Sequence, residues 1–186
     1  MKRLFTLFAF TFLLLFLLTA CGDQAAKDGV TPPEGTIDLS GFTAQTPDGD
    51  ACSGEIFSGH KLTMLNIWGT FCGPCIREMP DLAQISREYG QSLQVIGIII
   101  DAVDRNFIPV PEKKDTASDI LAQTGVDYLQ LLPSPSLNDL LLSEVQVFPT
   151  TYFVDENGFV IGEAYYGSRD HDTWKSIIDA YLEARS

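Results

Sequence analysis

Leu62-Thr63-Met64-Leu65-Asn66-Ile67-Trp68-Gly69-Thr70-Phe71-Cys72-Gly73-Pro74-Cys75 is the stretch on which the reading of this sequence turns. Its first half is a near-continuous apolar run bounded by polar residues and glycine, the pattern of a strand buried on both faces rather than one. Its second half leads into residues 73–89, where Ile76, Met79, Leu82, Ala83 and Ile85 recur at helical spacing and Gly90 is placed to end the helix. Pro80 falls inside that helix and is expected to kink it. The cysteines therefore stand where a buried strand hands over to a helix. At a helix N-terminus the unpaired N–H groups and the macrodipole favour a thiolate, so Cys72 should ionise below the free-thiol value of about 8.5. Two intervening residues put the second sulfur one turn along, within reach of a disulfide, with Cys75 the more buried partner. Two other uses of such a pair remain open, a half zinc site and a purely structural disulfide. Zinc needs two further ligands, and the two histidines, His60 and His171, lie far from the pair in sequence.

Outward from this centre, strand and helix alternate. Residues 93–100 read as a second buried strand, residues 106–115 as a polar surface loop, residues 116–124 as a capped helix and residues 126–132 as a strand. A short helix over 136–145 follows Pro133 and Pro135. Strands over 150–154 and 159–164 are joined by Asp155-Glu156-Asn157-Gly158, a hairpin signal. An amphipathic helix over 169–184 carries Trp174, Ile177, Ile178 and Tyr181. Before the centre, residues 42–46 and the segment from Ala51 flank Pro47-Asp48-Gly49 as a small hairpin. The sum is an α/β fold, a mixed sheet with helices on both faces.

The N-terminus belongs to a different class of sequence. Lys2 and Arg3 precede an almost pure Leu/Phe run over 4–18 and the small residues Thr19-Ala20, the layout of a secretory signal. The run is shorter than the roughly 20 residues of a membrane-spanning helix, which disfavours a permanent anchor. Leu18-Thr19-Ala20-Cys21 resembles the bacterial lipobox, so residues 1–20 are expected to be a signal peptide and Cys21 the acylated mature N-terminus. Residues 21–36 then form a polar tether and residues 37–186 the folded domain. A net charge of -13 repels phosphate backbones, which speaks against nucleic acid as a partner.

Trp68-Gly69-Thr70-Phe71-Cys72-Gly73-Pro74-Cys75 together with Phe148-Pro149-Thr150-Thr151 resembles the thioredoxin superfamily, and more narrowly its membrane-tethered TlpA/ResA group, over about residues 37–186. The resemblance implies a thioredoxin-like fold with an inserted αβ unit near residues 116–132. It also implies a cis peptide before Pro149 facing the cysteines, with Gly73, Pro74, Pro149 and Thr150 around a bound substrate chain. Thioredoxin's buried aspartate is replaced here by Asn66, and Glu78 matches a glutamate of the ResA-like group that would handle the Cys75 proton. Trp68, Phe71 and Phe148 are expected to form an apolar rim around Cys72. Cys52 is left over, which suits either burial as a small apolar residue, the expected case, or an intermolecular role.

The activity so implied is thiol-disulfide exchange with exported client proteins at the outer face of a bacterial membrane. It needs no cofactor beyond the Cys72–Cys75 disulfide, no metal, and a CcdA/DsbD-like membrane thiol carrier as electron donor. The Gly-Pro dipeptide favours the reducing direction. Disulfide oxidation or isomerisation is the nearest alternative, and a lipid-tethered module that only binds clients is another. A peroxidase fits less well, because a peroxiredoxin-like site has threonine where Gly69 stands.

Overall fold

A computed structural model describes residues 34–185. The expected signal peptide, Cys21 and most of the tether lie outside the described residues. Seven strands and four α-helices follow one another as β1 (Thr43–Gln45), β2 (Ala51–Ser53), β3 (Leu62–Trp68), α1 (Gly73–Tyr89), β4 (Leu93–Ile99), α2 (Pro111–Thr124), β5 (Leu129–Leu131), α3 (Pro135–Leu140), β6 (Thr150–Asp155), β7 (Val160–Tyr166) and α4 (His171–Glu183). The main sheet runs β5-β4-β3-β6-β7. β4 and β5 continue β3 in parallel, whereas β6 and β7 return antiparallel, so the sheet is mixed as expected. β1 and β2 form the expected separate hairpin, tied to the sheet where the Leu132 N–H donates to the Gln45 carbonyl at 2.8 Å.

β3 explains its own sequence. All of its residues are buried, and alternate side chains go to opposite faces. Leu65 and Ile67 join Leu39, Phe42, Phe57 and, from α3 and the turn after it, Leu137, Leu141 and Leu142. Leu62 and Met64 meet Leu82 and Ile85 of α1 and Trp174 and Ile178 of α4 on the other face. α1, α2 and α4 therefore cover one face, and α3 with the N-terminal segment covers the other.

Three elements depart from the sequence reading by three residues or more. The segment 106–115, expected to be loop throughout, supplies the first turn of α2. Val110 is the extended cap and Pro111 the first helical residue, where its fixed φ suits the helix and its missing N–H is no loss. Thr116, expected to cap this helix, lies inside it with its hydroxyl donating back to the Glu112 carbonyl at 2.7 Å. The strand expected over 126–132 shortens to β5, because Gly125 ends α2 in the left-handed region at φ 68° and residues 126–128 re-aim the chain. The helix expected over 136–145 is only α3 followed by a 3-10 turn at Leu142–Glu144. Among the described residues, no helix is long and apolar enough to cross a membrane.

Candidate active site

β3 ends at Trp68, and four residues later Cys72 caps α1 in an extended conformation, with its sulfur accepting the Cys75 N–H at 3.3 Å. Cys72 and Cys75 are joined as a disulfide with Cα atoms 5.3 Å apart. Both sulfur residues are largely enclosed, Cys72 at 5% and Cys75 at 1% exposure, so what access remains is to Cys72. Gly73 and Pro74 are exposed in the first turn of α1. On reduction, a Cys72 thiolate would sit at the positive end of this helix.

The Phe148–Pro149 peptide is cis. Phe148 packs against the buried cluster that contains Cys72, Cys75 and Met79. Phe71, 62% exposed, stands edge-on to the Phe148 ring at 5.7 Å, so these two rings do form an apolar edge beside the cysteines. Gly69 makes this possible, since a side chain there would run into the Phe71 ring. Thr150 is buried, and its hydroxyl turns inward to the Val147 carbonyl at 2.7 Å.

Trp68 does not reach the rim. It is fully buried within the same cluster as the cysteines, and its indole N–H donates to Gln130 Oε1 at 3.0 Å. Gly97 of β4 leaves the space that the Gln130 amide occupies, so the indole finds its partner inside the protein and supports the site from beneath. Cys52, on β2, is half-buried against a different core cluster. Burial, and secondarily Asp50, push its thiol pKa up, which leaves it a poor nucleophile.

Glu78 is the most unusual residue near the pair. Three residues beyond Cys75 it shares that face of α1, yet it is only 2% exposed. Its Oε1 accepts the Arg169 backbone N–H at 3.0 Å and the Trp174 indole N–H at 2.5 Å. Oε2 is buried with no hydrogen-bond partner among the described residues. Burial raises the Glu78 pKa above the ordinary glutamate value, and it outweighs the Arg169 N–H, the Trp174 indole, the Arg169 charge and the Asn66 amide, which all work to lower it. Asn66 lies beneath, its amide donating to Thr151 Oγ1 at 3.0 Å. The arrangement can hold a proton one helical turn from Cys75. Arg169 and Trp174, the two partners that fix Glu78, carry no sign of that task in the sequence. They arrive from the end of the chain, and only the amphipathic spacing of Trp174 hinted that it would be buried.

This geometry gives a pH dependence of stability. A carboxyl whose folded-state pKa lies above its unfolded value holds its proton more tightly when folded. Below the unfolded value of about 4.3, both states are protonated and nothing is lost. As pH rises through the folded value, ionisation inside the site destabilises the fold, and the loss is complete above it. Glu78→Gln keeps an oxygen for Arg169 and Trp174 and removes the titration. Urea unfolding of both oxidised proteins over a pH series should show wild type losing stability relative to Glu78→Gln as pH rises through that window. Curves that run parallel would place the Glu78 carboxyl in an ordinary solvated environment.

The AhpC/TSA family model matches residues 38–162. The chain is 30% identical over 173 residues to thiol-disulfide oxidoreductase ResA of Geobacillus kaustophilus, covering 86% of this chain and 87% of that one. It is 28% identical over 138 residues to the thioredoxin-like protein YneN of Bacillus subtilis, covering 74% and 75% of the two chains. In three dimensions it is similar to a thiol:disulfide interchange protein of the thioredoxin family from Chlorobium tepidum, with a TM-score of 0.63 at 22% identity, covering 79% of this chain and 97% of that one. With a disulfide-forming Cys72-Gly73-Pro74-Cys75 at the start of α1 and these relatives, the chain belongs to the AhpC/TSA family as a thioredoxin-like thiol-disulfide oxidoreductase of the ResA type.

Proposed function

We propose that this protein is a reductase for disulfides of exported proteins, working on the outer face of a bacterial membrane to which acylated Cys21 holds it. The observation that carries the proposal is the asymmetry of the pair: Cys72 caps α1 next to the exposed Phe71, whereas Cys75 lies deeper on the Glu78 side of the helix. The Cys72 thiolate attacks a client disulfide, and the client's leaving sulfur takes a proton. Cys75 gives its proton to Glu78 and attacks the Cys72 sulfur, which breaks the mixed disulfide; the second client sulfur leaves as a thiolate and takes that proton from Glu78. Two electrons pass to the client and the Cys72–Cys75 disulfide forms. A membrane thiol carrier of the CcdA/DsbD type would return those electrons. Phe71 and Phe148 would meet the client, and Gly73, Pro74 and the Pro149–Thr150 backbone are proposed to contact the same bound chain.

The N-terminal signal and the lipobox-like Leu18-Thr19-Ala20-Cys21 support the anchor, and two or more acyl chains would give stable membrane attachment at about 0.8 kcal/mol per buried methylene.

Cys75→Ser should stall exchange at the mixed disulfide, so that clients with disulfides accumulate as adducts on Cys72 that dithiothreitol releases. Cys72→Ser should accumulate none. Equal trapping by the two variants would contradict the assigned roles. Mature wild-type protein should partition into detergent, and Cys21→Ser should lose the acyl chains. A Cys21→Ser protein still held in the membrane by an uncleaved N-terminal helix would remove the case for the lipid anchor.

A further inference from the structure

The turn that delivers Cys72 is held by Asp101 and Lys113. Residues 69–72 form a tight turn closed by the Cys72 N–H donating to the Gly69 carbonyl at 3.0 Å. Thr70, inside that turn, commits both of its donors to one carboxylate. Its N–H donates to Asp101 Oδ1 at 2.9 Å and its hydroxyl to Asp101 Oδ2 at 2.5 Å. Asp101 lies just past the end of β4. From the first turn of α2, Lys113 Nζ reaches Asp101 Oδ2 at 3.0 Å and Thr70 Oγ1 at 3.3 Å. Two other chain segments, the end of β4 and the start of α2, thus converge on the turn. Burial works to raise the Asp101 carboxyl, but the two Thr70 hydrogen bonds, then Lys113, outweigh it and hold it below the ordinary aspartate range. The carboxylate stays charged wherever a thiol titrates.

We propose that Asp101 and Lys113 are positioning residues for thiol exchange: the Asp101 carboxylate fixes the Cys72 turn through Thr70, and the Lys113 ammonium cancels the field that this carboxylate would impose on the Cys72 thiolate. A carboxylate suits the turn because it accepts both Thr70 donors at once. Left alone, a negative charge bonded two residues from the nucleophile disfavours the thiolate. The Lys113 ion pair is partly exposed, with 44% of its side chain accessible, and such pairs add little to stability. Its effect is on the charge seen at Cys72. α2 belongs to the unit inserted between the two sequence motifs, so the insertion contributes to the active site as well as to the sheet. Other charged groups near Cys72 are Arg77 of α1, whose guanidinium lies over Gly73, and Glu78, with Arg169 behind it. The Val147–Thr151 segment opposite brings none.

The inference rests on Cys72 being the attacking thiol, and the test separates the two. Alkylation of the reduced full-length protein is followed over a pH series at low salt, with the labelled cysteine identified, for wild type, Lys113→Met, Asp101→Asn and the double variant. Lys113→Met should raise the Cys72 midpoint and Asp101→Asn should lower it, each by about half a pH unit, and the double variant should return toward wild type. Both shifts should shrink at about 1 M salt, where the Debye length is about 3 Å. Lys113→Arg, which keeps the charge, should hold the wild-type midpoint. Should Asp101→Asn fail to fold, the Lys113→Met and Lys113→Arg pair still decides the matter, since both leave the Thr70–Asp101 bonds in place. Folded variants whose midpoints stay put, or move with the same sign, would overturn the clamp while leaving Cys72 as nucleophile. Labelling of Cys75 before Cys72 in wild type would overturn the reading on which the clamp depends.

Discussion

The burial of β3 is the constraint from which the rest follows. Flanked by β4 on one side and β6 on the other, it has no edge and no solvent face. Leu62, Met64, Leu65, Ile67 and Trp68 are each at most 1% exposed. Such side chains stabilise by about 1.5–3 kcal/mol apiece on burial, so this one strand commits an amount comparable to the whole net stability of a domain, about 5–15 kcal/mol. A one-residue slip in register would send each side chain of this strand into the core on the opposite face, so the register is fixed by packing on both sides. The point at which the chain leaves the sheet is therefore set to within a residue, and the cysteines follow at once. Sulfur chemistry placed at the end of a fully buried central strand keeps the pair close enough to close a disulfide.

Glu78 shows what such a rigid frame permits. A carboxyl at 2% exposure is costly, and a single oxygen carrying two hydrogen bonds does not repay it fully. The partners come from the start of α4 and the segment before it, so the C-terminal helix holds the proton site as well as closing the core. The Arg169 guanidinium lies 5.1 Å from the Tyr165 ring centroid and 5.0 Å from that of Trp174. That contact keeps the Arg169 backbone where its N–H meets the carboxylate.

Much of the fold was legible because it is written in local patterns. The apolar run of β3, the spacing of α1 and the Asn157-Gly158 turn each signal their own structure within a few residues. Cys72, Cys75 and Phe71 were legible for the same reason, as a motif on the junction between two clear elements. Features decided by distant contacts were not. Pro111 reads equally as a loop residue and as a helix start, and only packing of Ala117, Ile120 and Leu121 against the cysteine cluster selects the latter. Trp68 reads as a rim residue beside the motif, and its burial depends on a glycine on β4 and a glutamine on β5. The Thr70–Asp101–Lys113 convergence joins residues 31 and 43 apart in the chain, which no periodicity reports.

The reading of the Cys72–Cys75 pair as a reductant makes a direct thermodynamic prediction. The most direct measurement is its reduction potential, obtained by equilibrating the protein with thiol-disulfide buffers of defined ratio and quantifying the free Cys72 and Cys75. A potential near the thioredoxin value of about -270 mV is the expected result, whereas one near the DsbA value of about -120 mV would make the protein an oxidant and contradict the account.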